Sequence, residues 1–125
     1  MLRNIFTNRA AQYIGHSSQA IESHGIIFLS AQIGLDEEGI LPESVEEQAK
    51  NCLSNLQQII KHDFSGPTNV IRIQIYLLDL DDFETVNNIL KEWLGETKPA
   101  YTVIGVNALP MGAKVQIDMT VSALS

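Results

Sequence analysis

The three histidines and the single cysteine are the first candidates for metal or acid–base chemistry. His16, His24 and His62 stand at separations that fit no metal-ligand motif, so surface positions are expected for them. Cys52 alone can form neither an internal disulfide nor a cysteine-built metal site. The sequence also has no glycine-rich phosphate loop, no nucleophile elbow and no H-E-x-x-H pattern. We therefore expect no metal site.

Several other polar residues stand where apolar or helix-forming residues are usual. Ser30 lies inside an apolar run, where a serine more often bonds the backbone than a ligand. Asn87 and Asn88 fall within a predicted helix, and because asparagine is a poor helix former, at least one is expected to make a polar contact. Tyr101 follows Pro99 at the start of a strand, at the rim of a sheet. Its ring could simply pack with the hydroxyl in water, or it could contact a ligand.

The hydrophobic pattern predicts the elements that must position these residues. One helix is expected after Ser44, which has the capping-box spacing to Glu47, so that each side chain would bond the other's backbone N–H. A second helix is expected from Asp81 to Gly95. In the first helix the apolar stripe includes Cys52, which is therefore expected in the core. Apolar runs and alternating patterns predict strands at 25–34, 70–78, 101–107 and 113–121.

The alternation within the predicted strands assigns residues to two faces of one sheet. One face of the strand at 70–78 would carry apolar residues, namely Ile71, Ile73, Ile75 and Leu77. The order of elements, ending in a closing hairpin of the last two strands, is typical of an α+β fold with both helices packed on one face. The other face would either meet water or be buried against another copy of the chain. It would carry Arg72, Gln74, Tyr76, Gln116 and Asp118.

Composition limits the possible partners. The chain has 125 residues, so residues 1–125 are expected to form one domain with a sizeable core. The net charge of −7 and the scattered lysines and arginines argue against nucleic acid as a partner. No signal peptide or membrane-spanning segment is visible, and the lone cysteine is compatible with a reducing compartment. A cytoplasmic protein with no membrane partner is expected.

Four segments of the chain resemble, in order, the motifs of the RidA (YjgF) family: YIGHSSQAI, IIFLSAQIG, DLDDFETVNNIL and KPAYTVIGVNALPMGAKVQIDM. The resemblance implies a chorismate-mutase-like α+β fold and a homotrimer with a small-ligand pocket in each cleft between subunits. It also implies hydrolysis of reactive imines and enamines without a cofactor. In that chemistry an arginine clamps the substrate carboxylate and a glutamate positions the attacking water.

The chain departs from that family pattern at the two residues that carry the chemistry. Tyr101 stands at the position of the arginine and Gln116 at that of the glutamate, and an amide cannot accept a proton. Other positions of the family pocket are also changed or kept. Ser17 replaces a tyrosine, His16 a proline, Ala31 the glycine of S-G-Q, and Val103 a cysteine, whereas Ser30 and Asn87 match.

Three hypotheses follow. The favoured one is a trimeric small-molecule-binding protein whose standard imino-acid deaminase chemistry is reduced or lost, with neutral groups that favour a neutral or aromatic ligand. An alternative is a divergent hydrolase for a different imine, carbamate or amide, with Asp118 or His16 as base, and with Lys98 or His16 as a replacement cation. A third hypothesis assigns the polar face a purely structural role, with no ligand. For the favoured hypothesis the cleft would be lined by Ser17, Ser30, Ala31, Asn87, Tyr101, Val103 and Gln116.

Overall fold

The computed structural model describes residues 2–11, 15–63 and 66–123. Two helices are present in this part of the chain, α1 (Val45–Ile60) and α2 (Phe83–Leu94). Short 3-10 turns occupy Pro67–Asn69, Leu80–Asp82 and Pro110–Gly112. The strands, in chain order, are β1 (Arg3–Ile5), β2 (Ala20–Ser23), β3 (Ile26–Leu29), β4 (Gln32–Ile33), β5 (Val70–Leu77), β6 (Ala100–Gly105) and β7 (Val115–Ser122).

All of these strands belong to one mixed sheet, in the order β1-β2-β3-β7-β5-β6. The short strand β4 also pairs with β7. Every pairing is antiparallel except that of β5 with β6. Because a parallel pair needs a long crossover, α2 makes the connection between those two strands. The α+β class and the packing of both helices on one face of a single sheet are confirmed.

The predicted closing hairpin is wrong. The last two strands, β6 and β7, are separated by β5, which pairs with β6 on one side and β7 on the other. The sequence pattern gives the two strands as neighbours in the chain, but it does not contain their order across the sheet. Strand β6 lies at the edge of the sheet, on the far side of β5 from β7. The segment between β6 and β7 must therefore pass the end of β5.

The ends of the two helices follow the sequence signals in part. Ser44 is the N-cap of α1, and its hydroxyl accepts a hydrogen bond from the Glu47 backbone N–H at 3.1 Å. The reciprocal bond of the predicted capping box is absent among the described contacts, because the Glu47 carboxylate accepts instead from the Ser44 hydroxyl at 3.3 Å. The second helix starts at Phe83 rather than Asp81, after a 3-10 turn capped by Asp79. Gly95 ends it with a positive φ of 62°, which glycine adopts without strain.

The core lies between the helices and one face of the sheet. Its fully buried members come from α1, α2 and the central strands, and they include Cys52, Leu56, Leu90, Ile73, Ile75 and Ile117. The prediction that Ile71 shares this face is wrong, because a bulge between Val70 and Arg72 turns Ile71 outward, where it is 42% exposed. Val70 takes its place in the core. One extra residue in a strand reverses the alternation on one side of it.

The predicted single strand at 25–34 is interrupted. It forms β3 and β4 with a break at Ser30 and Ala31, and its register on β7 shifts by one residue across that break. Beyond β4, Gly34 lies against the backbone of α1 at Gln48, where a Cβ would overlap the helix. Asn51 of α1 donates to the Gly34 carbonyl at 3.0 Å. The break therefore sits between two firmly anchored segments.

Candidate functional site

Tyr101 and Asn87 form a hydrogen-bonded pair on the helix-covered side of the sheet. Tyr101 is the second residue of the edge strand β6, in register with the buried Ile73 of β5. Because residues in register on neighbouring strands share a face, its ring points toward α2. Its hydroxyl donates to Asn87 Oδ1 at 2.8 Å, which gives the asparagine of α2 the polar contact expected for it.

This pair stays neutral over the physiological pH range. Burial raises the pKa of Tyr101 to about 12, so its hydroxyl keeps its proton. Val103 lies two residues further along β6 on the same face, half-buried against the core. Asn88, by contrast, is exposed. This part of the candidate site therefore offers hydrogen bonds but no charge.

A second group of predicted site residues gathers at the break between β3 and β4. The Ser30 hydroxyl donates to the Ser18 carbonyl at 2.7 Å, and its N–H donates to the Gln19 carbonyl at 2.9 Å. These bonds bring the segment with the exposed Ser17 beside Ser30 and the half-buried Ala31. The expectation that Ser30 bonds the backbone is confirmed. Tyr13 and Ile14, the first residues of the YIGHSSQAI motif, lie outside the described residues.

Gln116 lies on β7, opposite the end of β4 rather than opposite the break itself. It is in register with Ile33 of β4 and with Tyr76 of β5. Its side chain is half-buried and makes no hydrogen bond within the part of the chain that the structure describes. Gln116 alternates with the buried Val115 and Ile117, so it points away from the helices.

Tyr101 and Gln116 lie on opposite faces of the sheet. Tyr101 points toward the helices, whereas Gln116 points to the open face, and β5 lies between their two strands. Two strand spacings alone separate their backbones by about 10 Å. Within one chain the structure therefore does not bring Tyr101 and Gln116 together.

Asp118 lies on the open face and is occupied by its neighbours. It accepts a hydrogen bond from the Tyr76 hydroxyl at 2.9 Å and another from Gln74 Nε2 at 3.1 Å. On the same face, Arg72 donates to the Thr102 hydroxyl at 2.7 Å. The predicted set of polar residues on this face is confirmed by the register of β5 and β7. Both hydrogen bonds hold the carboxylate against side chains of its own sheet, which argues against a catalytic role for Asp118.

The remaining candidates lie apart from these contacts. His16, His24 and His62 are exposed, as expected, and Lys98 is exposed just before β6. Residues 2–11, 15–63 and 66–123 contain no cluster of metal-ligating side chains. Cys52 is fully buried, and burial raises the pKa of its thiol, so it is a core residue as predicted.

Three buried amide side chains that sequence reasoning missed fix the segments around the second group. Gln48 donates to the Pro42 carbonyl and accepts from the Lys114 N–H just before β7. Asn55 joins the Ala11 N–H to the Leu35 carbonyl, and Gln19 bonds the backbone of Thr7 and Ala11. The signal that could have revealed Gln48 and Asn55 is their place beside the apolar stripe of a helix, where a polar residue must find partners.

Two cavities on the described part of the chain lie away from the predicted residues. One of about 930 Å³ lies between the segment 8–11, the loop 35–39 and α1. The other, of about 490 Å³, is a groove between α1 and α2 beside Trp93. Neither is lined by a predicted site residue.

Comparison with known proteins identifies one protein family. The family model for endoribonuclease L-PSP matches residues 7–123. A mouse protein named 2-iminobutanoate/2-iminopropanoate deaminase is 38% identical over 116 residues, covering 91% of this chain and 86% of the mouse protein. No helix in the described part of the chain is long and apolar enough to cross a membrane.

Solved structures agree with the sequence comparison. An Entamoeba histolytica structure described as an endoribonuclease L-PSP has a TM-score of 0.91 at 32% identity and covers 98% of this chain and 99% of that chain. The structure of E. coli TdcF with bound serine has a TM-score of 0.89 at 28% identity, with coverage of 98% and 99%.

Proposed function

Since this chain belongs to the endoribonuclease L-PSP family, which is the RidA (YjgF) family, we propose that it binds a small metabolite in a cleft between copies of itself. The single observation that carries the proposal is the placement of Tyr101 and Gln116 on opposite faces of one sheet. One chain cannot close a pocket from both. A neighbouring copy that sets its open face beside the β6 edge would join Tyr101 of one chain to Gln116 of the next.

The open face supports a contact between copies. It presents the hydrogen-bonded side chains of Gln74, Tyr76 and Asp118 together with exposed apolar groups, Phe28 at 52% and Ile104 at 38%. Exposed apolar side chains on an otherwise ordered sheet face are typical of a surface that another chain covers. Proteins of this family are generally homotrimers, and we propose the same state for this chain, with a reducing cytoplasm as its compartment.

The residues at positions 101 and 116, Tyr101 and Gln116, determine the activity that we expect. Without an arginine at Tyr101 or a glutamate at Gln116, the proposed cleft lacks the carboxylate clamp and the proton acceptor for 2-imino-acid hydrolysis. We therefore expect deaminase activity to be reduced or lost, with no cofactor required for whatever remains. The alternative is a hydrolase for another imine, carbamate or amide. The exposed His16 beside Ser17 is the more accessible candidate for its base, because the carboxylate of Asp118 already accepts two hydrogen bonds.

The first experiment measures ammonia released from imines that an amino-acid oxidase generates in situ. The natural protein is compared with Tyr101→Arg, Gln116→Glu and the double variant. We expect little activity from the natural protein and a gain of about a hundredfold or more in the double variant, since general acid–base catalysis alone contributes that much. Gln57→Glu, on the exposed side of α1, is the matched control and should gain nothing.

Co-expression of the two single variants tests the shared cleft directly. If Tyr101 and Gln116 meet only between chains, random mixing gives about a quarter of the clefts both new residues in a closed ring. The mixture should then show about a quarter of the activity of the double variant. A mixture no more active than its components, beside an active double variant, would contradict a cleft shared between copies. High activity in the natural protein would instead favour the alternative hydrolase.

A further inference from the structure

The Tyr101–Asn87 pair has an unusual set of free hydrogen-bonding atoms. A tyrosine hydroxyl has one proton, and that of Tyr101 is given to Asn87 Oδ1 at 2.8 Å. Its oxygen can still accept a hydrogen bond but cannot donate one. Asn87 Nδ2 retains two N–H donors, neither of which has a partner within the described residues. The pair therefore offers one acceptor and one donor on neighbouring atoms.

Gln116 offers the same combination on the other wall of the proposed cleft. Its amide carries an acceptor oxygen and two N–H donors, and it makes no hydrogen bond within residues 2–11, 15–63 and 66–123. In the proposed cleft, the Tyr101–Asn87 pair and the Gln116 amide would thus both face a ligand that lies between copies. Each of these two groups would keep an unpaired donor or acceptor unless the ligand supplied both a donor and an acceptor.

A carboxylate does not fit these atoms. It has acceptors only, so it could bond Asn87 Nδ2 but would face the lone pairs of the Tyr101 oxygen. Neither Tyr101 nor Gln116 supplies the positive charge that would offset the loss of water around a carboxylate. Lys98 is the cation nearest to Tyr101 in sequence, and it is exposed.

We infer that the cleft recognises a neutral group in which a carbonyl oxygen stands beside an N–H, as in a carboxamide, a urea or a carbamate. This inference rests on the proposed function, since it needs a cleft that contains Tyr101 and Asn87 of one chain and Gln116 of another. The N–H of the ligand donates to the Tyr101 oxygen, and its carbonyl accepts from Asn87 Nδ2. Gln116 pairs with the same group or with a second one in the ligand.

Benzamide and benzoate are suitable probes because they have nearly the same size and differ in the group that matters. Binding of each to the natural oligomer is followed by chemical-shift titration in NMR. We expect benzamide to bind about tenfold more tightly than benzoate, because a site built for hydrogen bonds rejects an analogue that leaves its atoms unpaired. Tyr101→Phe should remove most of that preference. Tyr101→Arg should reverse it, and Gln57→Glu should leave it unchanged.

The outcomes separate the inference from the proposed function. Equal or tighter binding of benzoate by the natural protein overturns the inference and indicates that Asn87 is turned the other way, with the Tyr101 proton free for the ligand. Binding of benzoate by Tyr101→Arg, with no binding of benzamide by the natural protein, keeps the cleft and overturns the inference alone. Failure of both probes to bind both proteins contradicts the proposed cleft itself.

Discussion

The helix-covered face and the open face of the sheet are built by the same strands but are held by different forces. On β5, Ile73 and Ile75 are fully buried beneath the helices, while Gln74 and Tyr76, which alternate with them, are half-buried and bonded to Asp118. The first face gains free energy from apolar surface removed from water. The second gains little from burial within one chain and is kept in shape by hydrogen bonds.

This difference shows which face of the sheet is covered by elements of its own chain. The helix-covered face has its partners, α1 and α2, in the same chain. The open face has ordered side chains and exposed apolar groups but no covering element among the described residues. The two proposals above depend on that contrast, and three measurements can break or sharpen it.

The largest effect is expected from Ile75→Ala. This side chain is fully buried at the centre of the sheet, so its loss leaves a cavity and should lower the free energy of unfolding by about 3 kcal/mol. Gln74→Ala, on the adjacent residue and the opposite face, should cost about 1 kcal/mol or less. Denaturant unfolding of both variants makes the comparison. Equal losses would mean that the open face is as much a core as the other, and the contrast would fail.

A smaller effect is expected from Tyr76→Phe. The change removes the hydroxyl that donates to Asp118 and leaves the Gln74 bond in place, so the expected loss of stability is about 1 kcal/mol. A double-mutant cycle with Asp118→Ala measures the coupling between the two side chains. A coupling energy near zero would show that the hydrogen bond between Tyr76 and Asp118 on the open face contributes nothing to the stability of the fold.

The smallest effect concerns the pH dependence of stability at Tyr101. Burial raises the pKa of this residue from its ordinary value of 10 to about 12 in the folded protein. The unfolded chain therefore loses the phenolic proton first, and stability falls as the pH rises from 10 toward 12. The slope should be smaller in Tyr101→Phe. An unchanged slope would place the Tyr101 ring in water and would weaken the case for a fixed donor–acceptor pair with Asn87.

Much of the fold could be predicted from the sequence because local patterns encode it. The Ser44 cap marks the start of α1, and the apolar stripe of α1 and the alternation along β7 report burial directly. The exposed Ile71 could not be predicted, because a bulge leaves no mark in the alternation of residue types. The strand that pairs with β6 could not be predicted either, since strand order depends on contacts between segments distant in sequence.

The candidate site was predictable only as a set of residue types. Family motifs indicated Tyr101, Asn87, Ser30 and Gln116, but no spacing in the sequence showed that Tyr101 and Gln116 lie on opposite faces. That fact depends on the side of its strand to which each side chain points, and on the pairing of both strands with β5. The bond of Tyr101 to Asn87 likewise joins a strand to a helix, and only the packed structure sets its direction.

The central position of β7 affects how the protein is made. It pairs with β3, β4 and β5, yet all of these strands precede it in the chain. A ribosome therefore delivers β3 and β5 before the strand that joins them, and each keeps an unpaired edge until β7 emerges. Unpaired edges are where chains associate wrongly, so the interval before β7 is released is the one in which a nascent chain is most exposed to aggregation and to chaperones.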